Sequence, residues 1–303
     1  MSRVSDRGCH RVPSGLESAF AVRSAPGISS NAPIDSPMNS SVLFQLRKLR
    51  RMIWDLRGYV AFDLAGNEIV RRTDFTNCAR PVLLLHGFLG TRRVLEVLEH
   101  RLRRDGYCVW SINLGGLMSA FNTRGIDQCA ETVRDKVERL YARYQLGPLS
   151  IIGHSKGGLI GRYYVKRLGG HQRVRNLITL GTPHNGTPTA YLGCAAVGAV
   201  AKSVWQMTPM SPFIRRLKIG AFPRNVRFVS IYSKSDRFSP FPTCILEDQK
   251  TGNLFNIEVL GTAHREFVYK RAVYEVIRRQ LALGYGDAPA QPLEMVPAIS
   301  PGT

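Results

Sequence analysis

The 303-residue sequence has no run of eighteen or more strongly apolar residues, which excludes an evident membrane-spanning helix. The long uncharged stretch 185–201 is mostly Ala, Gly and Thr, too weakly apolar to cross a bilayer. Cysteine is sparse: there are six, none in a CxxC pair, so neither a densely stapled secreted scaffold nor a zinc ribbon is indicated. Several of them fall where small buried apolar residues belong, and all are expected as reduced thiols. The N-terminus lacks an apolar leader core. A cytoplasmic location is therefore expected, with peripheral membrane contact as the one membrane association suggested. Acidic residues are also few, 22 against 42 Lys and Arg, for a net charge of +20. That excess speaks to partners rather than to fold. The basic residues are scattered, without an RNA-binding signature or zinc-finger spacing, so nucleic acid is not the expected partner.

What remains is ordinary globular composition, 44% hydrophobic, with tails at both ends. Residues 1–40 and 284–303 are rich in small and polar residues without hydrophobic period and are expected to be disordered. The domain is expected over 41–283. It begins with a basic amphipathic segment, 42–57, whose Leu43, Leu46, Leu49, Ile53 and Leu56 recur at helical spacing. Such a segment either docks on the domain or rests on an anionic membrane. From Pro81 onward, short apolar runs alternate with helical patterns. Strands are predicted at 82–85, 108–114, 149–153, 174–180, 226–232 and 257–260, and helices at 93–105, 126–144, 157–168 and 265–281. Strict alternation predicts an α/β fold with a mostly parallel sheet and helices on both faces.

Gly153-His154-Ser155-Lys156-Gly157 is a G-x-S-x-G pentad, weak alone, but it lies between a predicted strand and a predicted helix. In that setting the turn exposes the serine hydroxyl at the carboxyl edge of the sheet. A hydroxyl needs a base, and the base needs an orienting carboxylate. Of seven histidines, His264 alone follows a late strand and precedes the last helix. Asp236, separated from another strand by Ser-Lys-Ser, is the matching acid, with Glu247 and Asp248 as competitors. The oxyanion hole requires two backbone N–H donors, one from the residue after the nucleophile and one from an earlier loop. Lys156 and Phe88, in His86-Gly87-Phe88-Leu89-Gly90, are the expected sources.

Together, Leu-Leu-Leu-His-Gly-Phe, Gly-His-Ser-Lys-Gly-Gly, Leu-Gly-Thr-Pro-His-Asn-Gly-Thr, Ser-Lys-Ser-Asp and Gly-Thr-Ala-His resemble the α/β-hydrolase superfamily over about residues 80–282. Within it the sequence is most similar to bacterial triacylglycerol lipases and esterases and to lipases of the GPI inositol-deacylase kind. The resemblance implies Ser155 as nucleophile, His264 as base, Asp236 as its partner, and Phe88 with Lys156 as oxyanion donors. It implies ester hydrolysis through an acyl-enzyme without a cofactor; no aspartate cluster matches the calcium site of the secreted lipases, so no metal is expected. An acyltransferase, or a phospholipase or inositol-deacylase activity, would use the same residues. Lys156 departs from the commoner Met or Gln, and a cation beside the nucleophile would favour an anionic ester.

Residues 185–222 exceed what the core needs and are rich in large apolar side chains. They resemble a lipase lid; a packed helical insertion is the alternative. Substrate is expected to meet His86, Gly87 and Leu89 and, from the insertion, Trp205, Met207, Met210 and Phe213.

Overall fold

The computed structural model describes residues 74–116, 121–199, 201–247 and 251–286, together with Arg50 and Arg72. The expected N-terminal tail, the 42–57 segment except Arg50, and Asp248 lie outside the described residues. The chain divides at Arg50/Arg51, and the sheet with all its helices belongs to the second unit.

The strands are β1 (Pro81–Leu85), β2 (Cys108–Ser111), β3 (Leu149–His154), β4 (Val174–Leu180), β5 (Arg227–Tyr232) and β6 (Leu254–Glu258). They form one sheet in the order β2-β1-β3-β4-β5-β6, every neighbouring pair parallel. Both faces are covered because alternate side chains of each strand are apolar. Leu83 and Leu85 enter one core, while Val82 and Leu84 enter the other.

The second core is sealed by α1 (Glu96–Arg104) and α7 (Arg271–Tyr285). On the first face lie α2 (Ile126–Arg143) and α3 (Lys156–Arg167). In α2 the stripe Ile126, Ala130, Val133, Val137 and Leu140 is wholly buried. Each large aliphatic residue there contributes about 1.5–3 kcal/mol by leaving water. Three short helices, α4 (Thr189–Val197), α5 (Lys202–Gln206) and α6 (Pro212–Lys218), fill the connection between β4 and β5.

The structure corrects several sequence expectations. The sixth strand starts earlier than 257–260, since Leu254-Phe255-Asn256-Ile257-Glu258 pairs with β5 directly after the Gly252 turn. The last helix begins at Arg271, after a separate 3-10 turn at Glu266–Val268. It then runs to Tyr285, into the expected tail, where the Tyr285 hydroxyl donates to Pro81 O at 2.7 Å. The thiol expectation also fails: Cys78 and Cys108 form a disulfide. Their wide spacing in sequence hid the pairing, which arises because Pro81 lies in register beside Cys108. Cys129, Cys194 and Cys244 are free. No helix among the described residues is long and apolar enough to cross a membrane.

Candidate active site

The sheet order places β1 and β3 side by side although the chain leaves β1 toward β2 and returns to β3 on the other flank. Such a reversal opens a crevice at the carboxyl ends of the two strands. Leu85 and Gly153 lie in register at that edge. The loop after β1 and the turn after β3 therefore face one another.

Ser155 occupies the β3 turn at φ 54° and ψ −123°, a conformation costly for a residue with a side chain. Its main chain is held on both sides: its N–H donates to Leu180 O at 2.9 Å, and its carbonyl accepts from Thr182 Oγ1 at 3.0 Å. The neighbouring strand β1 passes so close that a Cβ at Gly157 would lie 2.1 Å from Leu85 O. A Cβ at Gly87 would lie 3.1 Å from that of Ser155, so the 86–90 loop presses directly on the Ser155 turn. Gly90 N–H donates to Gly87 O and Gly158 N–H to Ser155 O, leaving the Phe88 and Lys156 N–H groups out of those closing bonds.

Asp236 and His264 meet across the ends of β5 and β6. His264 Nδ1–H donates to Asp236 Oδ2 at 2.7 Å, and the aspartate side chain is fully buried. Its other oxygen accepts from the N–H groups of Phe238 and Ser239 at 2.8 and 3.0 Å. The carboxylate is therefore fixed by its own loop before it fixes the imidazole. With Nδ1–H engaged, Nε2 is the free basic nitrogen. The histidine's backbone is tied to the strand that leads into Ser155 as well, because His154 Nε2–H donates to His264 O at 2.9 Å.

Burial pushes the His154 pKa down to about 3, so it stays neutral. The same holds for His86, lowered to about 4, and for His184, whose Nε2–H donates to Thr179 Oγ1 at 2.9 Å. His86 is fully buried and donates to Gly87 O at 3.3 Å, so it is a support beneath the loop and not a substrate contact as expected. Gly87 is buried against the serine turn; Leu89 is half-buried at φ 53°.

Lys156 also departs from expectation. Its side chain is 0% exposed, and the ammonium donates to Asn122 O, Asn122 Oδ1 and Arg124 O. It is not a cation offered to substrate. Burial lowers its pKa to about 7.

The insertion residues separate into two groups. Trp205 and Met210 are 54% and 75% exposed, whereas Met207 and Phe213 are 6% and 2% exposed. Phe213 stacks on Tyr163 of α3 at 5.4 Å, so Met207 and Phe213 belong to the core and do not wall a cleft. Glu247 is remote in role: it pairs with Lys218 at the surface.

Sequence reasoning overlooked Thr182 and Ser233. Thr182 braces the Ser155 turn, and Ser233 Oγ accepts from Thr262 N–H at 3.2 Å, joining the Asp236 loop to the His264 loop. Thr182 stands inside the Gly-Thr-Pro-His motif and Ser233 opens Ser-Lys-Ser-Asp, so the motifs mark both positions without their roles. No group of His, Cys, Asp and Glu able to hold a metal occurs among the described residues.

Residues 81–240 match the palmitoyl protein thioesterase family. The sequence is 29% identical over 145 residues to a triacylglycerol lipase of Burkholderia plantarii, covering 46% of this chain and 39% of that protein. It is 32% identical over 116 residues to a triacylglycerol lipase of Pseudarthrobacter phenanthrenivorans, covering 36% and 35% respectively. The chain thus spans well under half the length of these relatives. Among solved structures, Aspergillus fumigatus lipase B superposes with a TM-score of 0.58 at 18% identity, covering 73% of this chain and 56% of that one. The mature Bacillus licheniformis lipase BlEst2 superposes with a TM-score of 0.53 at 15% identity, covering 71% and 99%. These likenesses establish the α/β-hydrolase fold.

Proposed function

The chain belongs to the palmitoyl protein thioesterase family, and from that premise we propose that it is a serine hydrolase cleaving esters or thioesters of lipid-like acids. The observation that carries the reading is the 2.7 Å bond between Asp236 and His264, held to the strand that ends in the strained Ser155 turn.

In the proposed reaction, Ser155 Oγ attacks the acyl carbonyl while His264 Nε2 takes its proton. The N–H groups of Phe88 and Lys156 receive the oxyanion that develops. Collapse breaks the bond to the alcohol or thiol, which leaves with the proton from His264. Water then gives a proton to His264 and attacks the acyl-serine, and the second collapse frees the acid and restores Ser155. Asp236 keeps Nδ1 protonated and stabilises the imidazolium at both stages.

The test is a panel of p-nitrophenyl esters and acyl thioesters of graded chain length, run on wild type and Ser155→Ala. Turnover by wild type, with Ser155→Ala reduced to the background, is expected. Equal rates in the two proteins would overturn the assignment.

A further inference from the structure

Asn122 lies between β2 and α2, far in sequence from the motifs, yet every polar atom it has is engaged at the crevice. Its main-chain N–H donates to Gly90 O at 3.4 Å, and its side-chain Nδ2–H donates to His86 O at 3.1 Å. One residue thus grips both ends of the 86–90 loop. Its two oxygens point the other way and accept from Lys156 Nζ, at 3.0 Å for the main chain and 2.7 Å for Oδ1. The ammonium takes Arg124 O as a third acceptor at 2.6 Å and lies 5.9 Å from the centre of the Phe88 ring.

The acceptors are all neutral oxygens, and burying an ammonium without a carboxylate is expensive. A methionine would fill the same space at lower cost, so packing alone does not account for a lysine here. What the lysine does that methionine cannot is bond Asn122. The outcome is a continuous chain of hydrogen bonds from the Lys156 side chain, through Asn122, to the loop that carries Phe88. The residue whose main chain offers one oxyanion donor thereby grips the loop that offers the other.

We propose that Lys156 and Asn122 are positioning residues that fix the separation and aim of the two oxyanion donors, the N–H groups of Phe88 and Lys156. The proposal rests on the serine-hydrolase reading above. Preorganised donors act on charge that develops only in the transition state, so loosening them lowers kcat and leaves KM nearly unchanged. Deleting one oxyanion donor outright costs about 100- to 1000-fold, and loosening two should cost about 10- to 100-fold.

The experiment uses the full chain with Asn122→Ala, Asn122→Asp, Lys156→Met and the Asn122→Ala/Lys156→Met pair. Competent sites are counted by fluorophosphonate titration, and kcat and KM are measured on p-nitrophenyl butyrate. Asn122→Asp keeps an acceptor for the ammonium and guards against loss of folding, but it removes the donor to His86 O. Ile277→Ala, a buried change in α7 away from the bracket, serves as a purely structural reference. The expected result is a 10- to 100-fold lower kcat per titrated site in all bracket variants, KM within about twofold, and a double variant no worse than the weaker single. Ile277→Ala should lower Tm without changing kcat per site. Full kcat per site in Asn122→Asp and Lys156→Met, or loss through KM alone, would overturn the proposal while leaving the hydrolase reading intact. A wild type that neither reacts with the probe nor turns over ester would overturn both.

Discussion

Three histidines buried in neutral form should make this protein acid-labile. In the unfolded chain, His86, His154 and His184 take protons as pH falls through about 6.5. In the folded chain burial holds His86 at about 4, His154 at about 3 and His184 well below its ordinary value. Between these limits the unfolded state binds more protons, so stability falls with falling pH. For His86 and His154 the difference approaches two protons by pH 5, a slope of about 3 kcal/mol per pH unit, and the loss accumulated from pH 7 is about 4 kcal/mol, to which His184 adds in the same direction. That is comparable with the whole stability of an ordinary domain. Glu99, held above the usual carboxylate range chiefly by burial, works in the opposite sense and offsets at most one proton. Guanidinium unfolding at pH 7, 6 and 5 should therefore give a steeply falling ΔG. In His184→Gln, whose amide can still donate to Thr179, the slope should be shallower than in wild type. A slope at pH 5 below one proton, about 1.4 kcal/mol per pH unit, would refute the claim that these imidazoles stay neutral.

Asp236→Asn should reduce kcat by about 1000- to 10,000-fold, because an amide favours the wrong imidazole tautomer; Glu247→Gln, at the surface, should stay within about twofold of wild type. Steady-state hydrolysis of one ester by both variants checks this, and the reverse ranking would place the acid elsewhere. Phe213→Ala should cost about 3–5 kcal/mol of stability, whereas the exposed Trp205→Ala should cost under about 1 kcal/mol. Thermal melts compare the two, and a Phe213→Ala protein melting with wild type would contradict its place in the core.

The fold was legible because its elements are long and their periods differ. The five-residue stripe of α2 matches the helical template, and the short buried runs of β1, β3 and β4 read as strands by their length and by alternating with helical patterns. The placement of Ser155, Asp236 and His264 after β3, β5 and β6 was legible because a parallel sheet brings its carboxyl ends to one edge, so position after a strand is position in space. The disulfide and the role of Asn122 were not. Cys78 and Cys108 meet only through strand register, and Asn122 acts through main-chain atoms as much as through its side chain. A sequence carries little signal for either. From sequence, Lys156 reads as a cation offered beside the Ser155 turn, since its neighbours in the pentad say nothing of the three oxygens that receive it.

The insertion shows why composition could not decide between a mobile cover and a packed helical layer. Its helices are too short for a clean stripe, so burial is settled residue by residue by what each helix rests on. α6 is anchored at both ends. Ser211 Oγ caps its start by accepting from Ile214 N–H, and its last carbonyls accept from Lys166 and Arg167 of α3. α5 is anchored as well, through Gln206 to Ile126 N–H and Asp127 and through Ser203 to Thr123 O. These bonds draw Met207 and Phe213 into the core and leave Trp205 and Met210 outside. Tyr191 and Leu192 of α4 are exposed too, so the insertion's apolar residues serve two surfaces, one structural and one facing outward. The part that could influence a lipid-like substrate is the outward one. The lower part, tied to the 122–127 segment that Lys156 holds, belongs to the frame of the site.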